Sequence, residues 1–372
     1  MQLQTLPWTS SLLSAVLFTT TLSDLVGATG TSIVTTIPAA ATVGPVIAEY
    51  VSGNSAVDAP KLSAYNSTVF DWWYFDAISS DLTQGLFLTF NLALATGVSG
   101  GNNESIPFAS IYGIWPNQTL YLYSVPGTSA VVESSPNQAT RGTWEGTGFS
   151  WVASPDMETY TVTINSTYIS GTLSFESKAP AHYPCGAVEP GSDLVVAPSV
   201  GWTNAVPDAD ASVSLSVGGT AVEWSGIGYH DKNWGTEFFG STFNSWYWGH
   251  VRIGPYSVVW FSVLAPGDRQ YLSGYVAKDR EVINASCGPG SVIVRPVGTP
   301  YPRGSDPNWP LGYHISIGIG EGKTLNVTVE QTGVIISSEG SRRLIGRATG
   351  SVNGGLQLEG YGQWEELWQA YE

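Results

Sequence analysis

Residues 70–78 read FDWWYFDAI, a run of aromatic side chains interrupted by two aspartates. Successive side chains of a β-strand point to opposite faces, so this run divides into two predicted faces. One face carries Phe70, Trp72, Tyr74 and Asp76. The other face carries Asp71, Trp73 and Phe75. Because both faces hold large aromatic rings, neither is simply exposed to water, and we expect one to pack a core while the other lines a cavity.

The same strand pattern continues along the chain. Short runs rich in Val, Ile, Thr, Tyr and Trp alternate with Gly, Pro, Asn and Asp, and no long stretch shows helical periodicity. We predict an all-β protein of two packed β-domains, an N-terminal sandwich or distorted barrel over residues 29–240 and a C-terminal barrel over residues 241–372. Many short strands joined by short turns in the second half are typical of a small barrel. Segment 179–211 contains five prolines and is predicted to be a surface excursion.

The composition narrows the possible function classes. The chain has 372 residues, with 14 Lys plus Arg against 30 Asp plus Glu and a net charge of −16. We expect no nucleic-acid partner, because phosphate binding needs a basic surface. The four histidines show no short ligand spacing, so we expect no metal site and no cofactor. The 15 tryptophans exceed what packing alone requires and favour a small hydrophobic ligand.

The N-terminus and the sequons indicate the secretory pathway. Residues 1–28 hold an apolar stretch followed by small residues and are predicted to be a signal peptide, with a disordered or membrane-anchoring tail as the alternative. Ser and Thr interrupt the apolar run, so we expect no stable membrane span. The predicted glycosylation sites are Asn66, Asn103, Asn117, Asn165, Asn284 and Asn326. Cys185 and Cys287, the only cysteines, either form one disulfide or remain two buried thiols.

A second motif, GYHDKNWG at residues 228–235, collects a histidine, an acid, a base and an amide at the end of a predicted strand. Alternation places Tyr229, Asp231 and Asn233 on one face. It places His230, Lys232 and Trp234 on the other. Adjacent residues diverge, so His230 and Asp231 are not expected to form a catalytic dyad. The motif is either a polar strand end that bonds turn amides or a ligand-contacting segment, and the alternation does not say which face meets a ligand.

With FDWWYFDAI and, about 150 residues later, GYHDKNWG, the chain resembles the carotenoid 1,2-hydratase (hydroxyneurosporene synthase)-like family. It is more similar to the fungal Diels–Alderases of that family, because Lys232 stands where the bacterial hydratases commonly have histidine. The resemblance implies two packed lipocalin-like β-domains with a pocket between or within them. It also implies a [4+2] cyclase of secondary metabolism that acts on a polyketide or terpenoid substrate, either in a Diels–Alder reaction or in a hetero-Diels–Alder reaction of an ortho-quinone methide.

A cycloaddition depends on holding two π-systems in one orientation and on donors aimed at a carbonyl oxygen. The predicted catalytic residues are Tyr229, His230, Asp231, Lys232 and Asn233, with Asp231 expected to hold the backbone of the motif. The predicted substrate-binding residues are Trp72, Tyr74, Trp224, Trp234, Trp246 and Trp248. Three alternatives remain: an isoprenoid hydratase in which Asp231 donates a proton, a carrier that binds a hydrophobic ligand without converting it, and a secreted protein that binds carbohydrate through exposed tryptophans.

Overall fold

The computed structural model describes residues 32–98, 101, 104–135, 140–302, 306 and 308–369. The predicted signal peptide, residues 1–28, and the sequon at Asn103 lie outside the described residues. Regular structure in the described part consists of β-strands and one 3₁₀ turn, Phe239–Ser241. No helix there is long and apolar enough to span a membrane. The prediction of an all-β fold is therefore confirmed.

The first sheet holds the strands of the N-terminal part of the chain. Its strands are β1 (Ile33–Pro38), β2 (Phe70–Ser79), β3 (Gly85–Ala93), β4 (Pro107–Ile114), β5 (Leu120–Pro126), β6 (Ser129–Ser134), β7 (Thr140–Glu145), β8 (Phe149–Ala153), β9 (Thr159–Asn165), β10 (Ile169–Ser177), β11 (His182–Tyr183), β12 (Gly186–Ala187), β13 (Val195–Ala197), β14 (Val200–Val217) and β15 (Thr220–Gly235). The main path runs in the order β1-β6-β7-β8-β9-β10-β14-β15-β2-β3-β4-β5, with β11 and β13 paired to β14 outside this path.

The second sheet holds the C-terminal strands. They are β16 (Ser245–Ile253), β17 (Tyr256–Leu264), β18 (Gln270–Lys278), β19 (Glu281–Cys287), β20 (Val292–Val297), β21 (Gly312–Gly318), β22 (Thr324–Ser338), β23 (Ser341–Val352) and β24 (Leu358–Trp368). Their order is β19-β18-β17-β16-β24-β23-β22-β21-β20. Strands β16 to β19 form one series of antiparallel hairpins, and β20 to β24 form another. The two series join where β16 pairs antiparallel with β24.

Strands β2 and β15 lie side by side and carry the two sequence motifs. They pair antiparallel, with Tyr229 opposite Asp76 and Asp231 opposite Tyr74. The even-numbered aromatic residues of β2 and the odd-numbered residues at the end of β15 point to the second sheet, whereas Trp73 of β2 points into the curl of the first sheet. Both faces of these strands are therefore buried, as the aromatic alternation predicts.

Three apolar cores follow from this arrangement. The first core fills the curl of the first sheet and includes Trp73 and Trp144. The inter-sheet core lies between the sheets and includes Tyr229 and Trp248. The second core is enclosed by the second sheet and includes Trp260, among others. Since the inter-sheet core draws on β2, β3, β14 and β15 on one side and on β16, β17 and β18 on the other, the two β-units pack directly together.

Segment 179–211 is not a surface excursion, and that prediction is wrong. His182 and Tyr183 are buried, Leu194 is completely buried, and β14 begins at Val200. Four of the five prolines lie between short strands, and Pro207 lies in β14 where its register with β15 shifts, so no missing N–H interrupts a regular hydrogen-bond ladder. The segment therefore forms part of the wall between the sheets.

Cys185 and Cys287 form a disulfide, which settles the two alternatives left by the sequence. The bridge connects the β11–β12 turn of the first sheet to the end of β19 in the second sheet. The change from one sheet to the other occurs between Gly235 and Ser245. The division at residues 240 and 241 stays a prediction, because the described chain from residue 32 onward is one compact unit.

Candidate functional site

A cavity of about 480 Å³ lies between the two sheets. Its walls come from β2, β3, β4 and β15 of the first sheet and from β16, β17, β22, β23 and β24 of the second. The link between the sheets closes one side through Phe239 and Phe243. This volume falls in the range of pockets that hold one drug-sized ligand.

Aromatic rings form most of the apolar wall of this cavity. They belong to Trp72, Tyr74, Phe87, Phe108, Tyr112, Phe239, Phe243, Trp246, Trp248, Phe261 and Trp368. Many of them pack edge to face, with ring centroids 5.1 Å apart for Trp72 and Phe239 and 5.4 Å apart for Tyr74 and Trp248. Such packing fixes each ring and leaves a rigid surface for a flat ligand.

Asp231 is the buried acid of the cavity wall. Its carboxylate is 3% exposed, and its Oδ2 accepts hydrogen bonds of 2.8 Å from Trp202 Nε1 and from the Tyr229 hydroxyl. Burial raises the pKa of Asp231 to about 6, although these two hydrogen bonds oppose the shift. A carboxyl with that pKa can both give and take a proton near neutral pH.

Behind Asp231, a hydrogen-bonded cluster holds Tyr229 in place. Trp248 Nε1 lies 3.4 Å from the Tyr229 oxygen, and the His250 ring stacks on the Tyr229 ring with centroids 4.6 Å apart. His250 Nε2 is 3.0 Å from both carboxylate oxygens of Asp76, which also accepts a 2.8 Å bond from the Tyr74 hydroxyl. Burial raises the pKa of Tyr229, so its hydroxyl stays protonated and donates to Asp231.

Asn233 is the second polar residue of β15 that lines the cavity. Its side chain is almost buried, and Nδ2 donates a 3.3 Å hydrogen bond to the Gly201 carbonyl. Asp231 and Asn233 therefore line the cavity, and their face of β15 is the one turned toward it, which answers the question that alternation alone left open. Tyr229, on the same face, is completely buried and does not itself line the cavity.

Arg343 and Glu365 also line the cavity, and sequence reasoning missed both. They are opposite each other on β23 and β24 and form an ion pair. Arg343 is one of three arginines in β23, and nothing in the strand's sequence distinguishes it from Arg342 or Arg347. The sequence did not reveal its surroundings either, because the neighbouring β2 and β3 lie far away in sequence.

His230 lies on the opposite face of β15, inside the first core. It is completely buried and stacks on Phe75 with centroids 3.8 Å apart. Its Nδ1 is 2.8 Å from the Tyr74 carbonyl and its Nε2 is 3.1 Å from Asp58 Oδ2. The structure therefore does not bring His230 to the cavity.

Lys232 is also buried in the first core, where it forms an ion pair with Asp71. Its ammonium nitrogen lies 3.5 Å from the centroid of the Trp73 ring, and Tyr65 donates a 3.1 Å hydrogen bond to Asp71. Burial lowers the pKa of Lys232 to about 8 and raises that of Asp71, each opposed by the charge of its partner. The expected contact between Lys232 and a substrate carbonyl has no support in this geometry.

The six predicted substrate-binding aromatic residues fall into two groups. Four of them line the cavity: Trp72, Tyr74, Trp246 and Trp248. The other two, Trp224 and Trp234, pack against the first core. Trp234 donates a 3.0 Å hydrogen bond to the Glu49 carbonyl, so its polar group is used in holding the chain segment that covers the first core.

Five of the six sequons fall on described residues. Asn117, Asn165 and Asn326 are exposed, whereas Asn66 and Asn284 are half-buried. Their glycosylation stays a prediction. Among the described residues, no group of three or more His, Cys, Asp or Glu side chains converges to hold a metal ion.

Comparison with known proteins places this geometry in context. A family model described as Diels-Alderase-like matches residues 32–289. The quinolone epoxide rearrangement protein of Penicillium thymicola is 32% identical over 326 residues, which cover 84% of this chain and 89% of that protein. The quinolone epoxide rearrangement protein of Emericella nidulans is 34% identical over 319 residues, which cover 84% of this chain and 87% of that protein.

A solved structure shares the fold. The crystal structure of CghA superposes with a TM-score of 0.76 at 17% identity and covers 91% of this chain and 98% of that one. At this level of identity the likeness concerns the arrangement of the strands and not the chemistry of the cavity.

Proposed function

Because the chain belongs to the Diels-Alderase-like family, we propose that it is an enzyme that isomerises a small aromatic secondary metabolite in the cavity between the two sheets. The reaction that the site supports best is the acid-assisted rearrangement of an epoxide. Asp231 carries this proposal, since it is a buried carboxyl with a pKa raised to about 6 in an aromatic cavity. Epoxide rearrangement is also the activity for which two relatives that match most of the chain are named.

Protonation by Asp231 would start the reaction. An epoxide oxygen leaves carbon readily only when it receives a proton, and a carboxyl with a pKa of about 6 is partly protonated near neutral pH. The C–O bond then breaks and leaves positive charge on carbon. A neighbouring bond migrates to that carbon, and the loss of a proton to the Asp231 carboxylate restores the acid. The product is an isomer of the substrate, so no atom is gained or lost.

The aromatic wall has two tasks in this mechanism. The electron-rich faces of rings such as Trp72 and Trp248 stabilise the positive charge that forms on carbon. The same rings keep water away from the cation, which would otherwise be captured as a diol. Tyr229 and Trp202 are positioning residues, because they hold one oxygen of Asp231 and leave the other without a hydrogen-bond partner among the described residues.

A [4+2] cycloaddition, the reaction predicted from the sequence, is the second candidate. It is favoured by the family to which the chain belongs and by a rigid aromatic cavity that can hold two π-systems in one orientation. Asn233 would then hydrogen-bond a substrate carbonyl. This reaction requires no acid, so it differs from rearrangement in its response to the loss of Asp231.

The deciding experiment compares the parent protein with Asp231→Asn on a quinolone epoxide, with product identified by chromatography and mass spectrometry. We expect a product of unchanged mass and a loss of about 100-fold or more in rate for the variant, the usual contribution of a general acid. Asp156→Asn, which changes an exposed aspartate, serves as the control. An Asp231→Asn variant that rearranges the epoxide at the parent rate would exclude Asp231 as the general acid. Conversion of a polyene or quinone-methide precursor by both proteins at the same rate would instead support cycloaddition.

The same assay identifies a carrier, because the unaltered epoxide would then be recovered from a stable complex, whereas a product heavier by one water molecule would show hydrolysis to a diol. The isoprenoid hydratase is tested separately, by incorporation of labelled oxygen from water into an isoprenoid alkene.

We also propose that the protein acts in the secretory pathway or outside the cell. The Cys185–Cys287 disulfide supports this, because such bridges persist in oxidising compartments. Enzymatic deglycosylation should lower the mass of protein that is produced through a secretory pathway. An unchanged mass would count against the proposed secretory location.

A further inference from the structure

Arg343 is a cation held within the aromatic wall of the cavity. Its side chain is 13% exposed, and its guanidinium carbon lies 4.3 Å from the centroid of the Phe87 ring, 4.5 Å from that of Tyr74 and 5.6 Å from that of Trp248. Three rings on two sheets therefore fix the position of the guanidinium. A cation arranged in this way loses little further freedom when it binds a ligand.

The guanidinium keeps hydrogen-bonding capacity for a ligand. It has five N–H donors, and Glu365 is its only hydrogen-bonding or ion-pair partner among the described residues. One carboxylate can engage two donors at most in the usual forked geometry. The remaining donors belong to a side chain that lines the cavity, so a ligand oxygen can reach them.

The charges around Arg343 favour a neutral oxygen over an anionic one. Glu365 offsets the charge of Arg343, and Glu339 and Asp231 add acidic groups to the same wall. Arg343 is the only Lys or Arg in the described lining of the cavity. A carboxylate ligand would therefore enter a site with no surplus of positive charge, whereas a carbonyl oxygen would gain a charge-assisted hydrogen bond without such repulsion.

We propose that Arg343 binds the carbonyl oxygen of a neutral, planar aromatic lactam or amide and thereby sets the orientation of the substrate toward Asp231. The flat ring system would lie against Tyr74, Phe87 and Trp248, the rings that already surround the guanidinium. The orientation toward Asp231 rests on the proposed function, whereas the binding of the carbonyl does not.

Binding of unreactive probes tests the proposal, with tryptophan fluorescence as the signal. The probes are 2-quinolone, which carries the lactam carbonyl; quinoline, which lacks it; and quinoline-2-carboxylate, which is an anion. We expect the parent protein to bind 2-quinolone about tenfold or more tightly than quinoline, which is the range for a hydrogen bond to a charged group. We expect quinoline-2-carboxylate to bind more weakly than 2-quinolone.

The test variant is Arg343→Met combined with Glu365→Gln, so that no unpaired carboxylate remains in the wall. The ratio of quinoline to 2-quinolone dissociation constants should fall close to one in this variant. Arg347→Met, an exposed arginine four residues further along β23, is the matched control and should keep the parent ratio. Arg343→Lys should recover only part of the preference, because a lysine lacks the planar fork.

Two results would overturn the proposal: an unchanged preference for 2-quinolone in the double variant, or tighter binding of quinoline-2-carboxylate than of 2-quinolone by the parent protein. Turnover of a quinolone epoxide is measured separately. Absence of turnover together with Arg343-dependent binding of 2-quinolone would reject the rearrangement but not the carbonyl site.

Discussion

Lys232 shows how a residue that suggests catalysis can serve the fold. Its ammonium group and Asp71 are both completely buried, and both pKa shifts favour the neutral forms because burial penalises charge. Removing one partner of such a pair strongly destabilises the fold, because the other charge is left without compensation in the core. The same pair can often be replaced by neutral groups with little loss.

We therefore predict that Lys232→Met lowers the free energy of unfolding by about 3–5 kcal/mol. Lys232→Met combined with Asp71→Asn should recover most of this loss, and the double variant should keep the parent rate because neither residue lines the cavity. Urea unfolding and the epoxide assay provide the two measurements. A double variant that folds like the parent but has lost activity would restore Lys232 to the catalytic residues.

Asp231 should make stability depend on pH in a defined direction. Its pKa is about 6 in the folded chain against an ordinary 3.8, so the folded state holds the proton more tightly than the unfolded state. The resulting stabilisation is complete below pH 3.8 and is lost as the pH rises through 6. Well above pH 6, burial of the ionised carboxylate makes the free energy of unfolding about 3 kcal/mol lower than it would be with the carboxyl protonated.

Asp231→Asn removes this titration. We predict that the stability of the variant relative to the parent rises by about 2–2.5 kcal/mol between pH 4 and pH 7, because only the parent buries a charge at the higher pH. Urea unfolding of both proteins at several pH values measures the difference. A difference that does not change with pH would mean that the pKa of Asp231 is not raised.

The strands that border the cavity each serve two cores. In β16, Trp246 and Trp248 face the inter-sheet core, whereas Tyr247 and Val251 face the second core. Gly249 lies on the second of these faces, where a methyl group would come within 2.3 Å of the Trp260 ring. The absence of a side chain at this position therefore lets Trp260 pack directly against the backbone of the strand that carries the cavity wall.

Gly249→Ala should lower the free energy of unfolding by about 1–3 kcal/mol through overpacking. Gly318→Ala, at a β21 glycine whose added methyl would meet no atom within 4 Å, is the control and should change stability by about 0.5 kcal/mol or less. Both are measured by urea unfolding. Equal effects of the two substitutions would contradict the tight packing of Trp260 against β16.

The two β-units of the molecule are held together by more than the inter-sheet core. The disulfide joins positions 102 residues apart, and the hydroxyls of Ser273 and Tyr275 on β18 donate to the Pro184 and Pro180 carbonyls close to it. Residues 180–185 therefore connect the first sheet to the second.

Replacement of Cys185 and Cys287 by serine should lower the free energy of unfolding by about 4–5 kcal/mol, because the unfolded chain loses a closed loop of roughly 100 residues. Thermal unfolding with and without a reductant measures the change. The reduced parent should match the variant, and a variant as stable as the oxidised parent would show that the bridge contributes nothing to the folded state.

The sequence was sufficient for every property that depends on neighbours along the chain. The period of two in residues 70–78 and 229–234 separated the cavity-facing side chains of β2 and β15 from those of the first core, since backbone geometry alone dictates that alternation. The two motifs also identified the family. The all-β fold followed from the short β-rich runs between turn residues.

Properties that depend on pairing between distant strands required the tertiary structure. Alternation defined two faces of β15 but not which one meets the cavity. No residue near position 231 in the sequence indicates that Trp202 bonds Asp231 or that Arg343 lines the same cavity. Which strands become neighbours depends on the burial summed over three cores, and local pattern does not encode that sum. For the same reason Lys232, a candidate catalyst when read in its motif, proved to be the partner of Asp71, a residue 161 positions away.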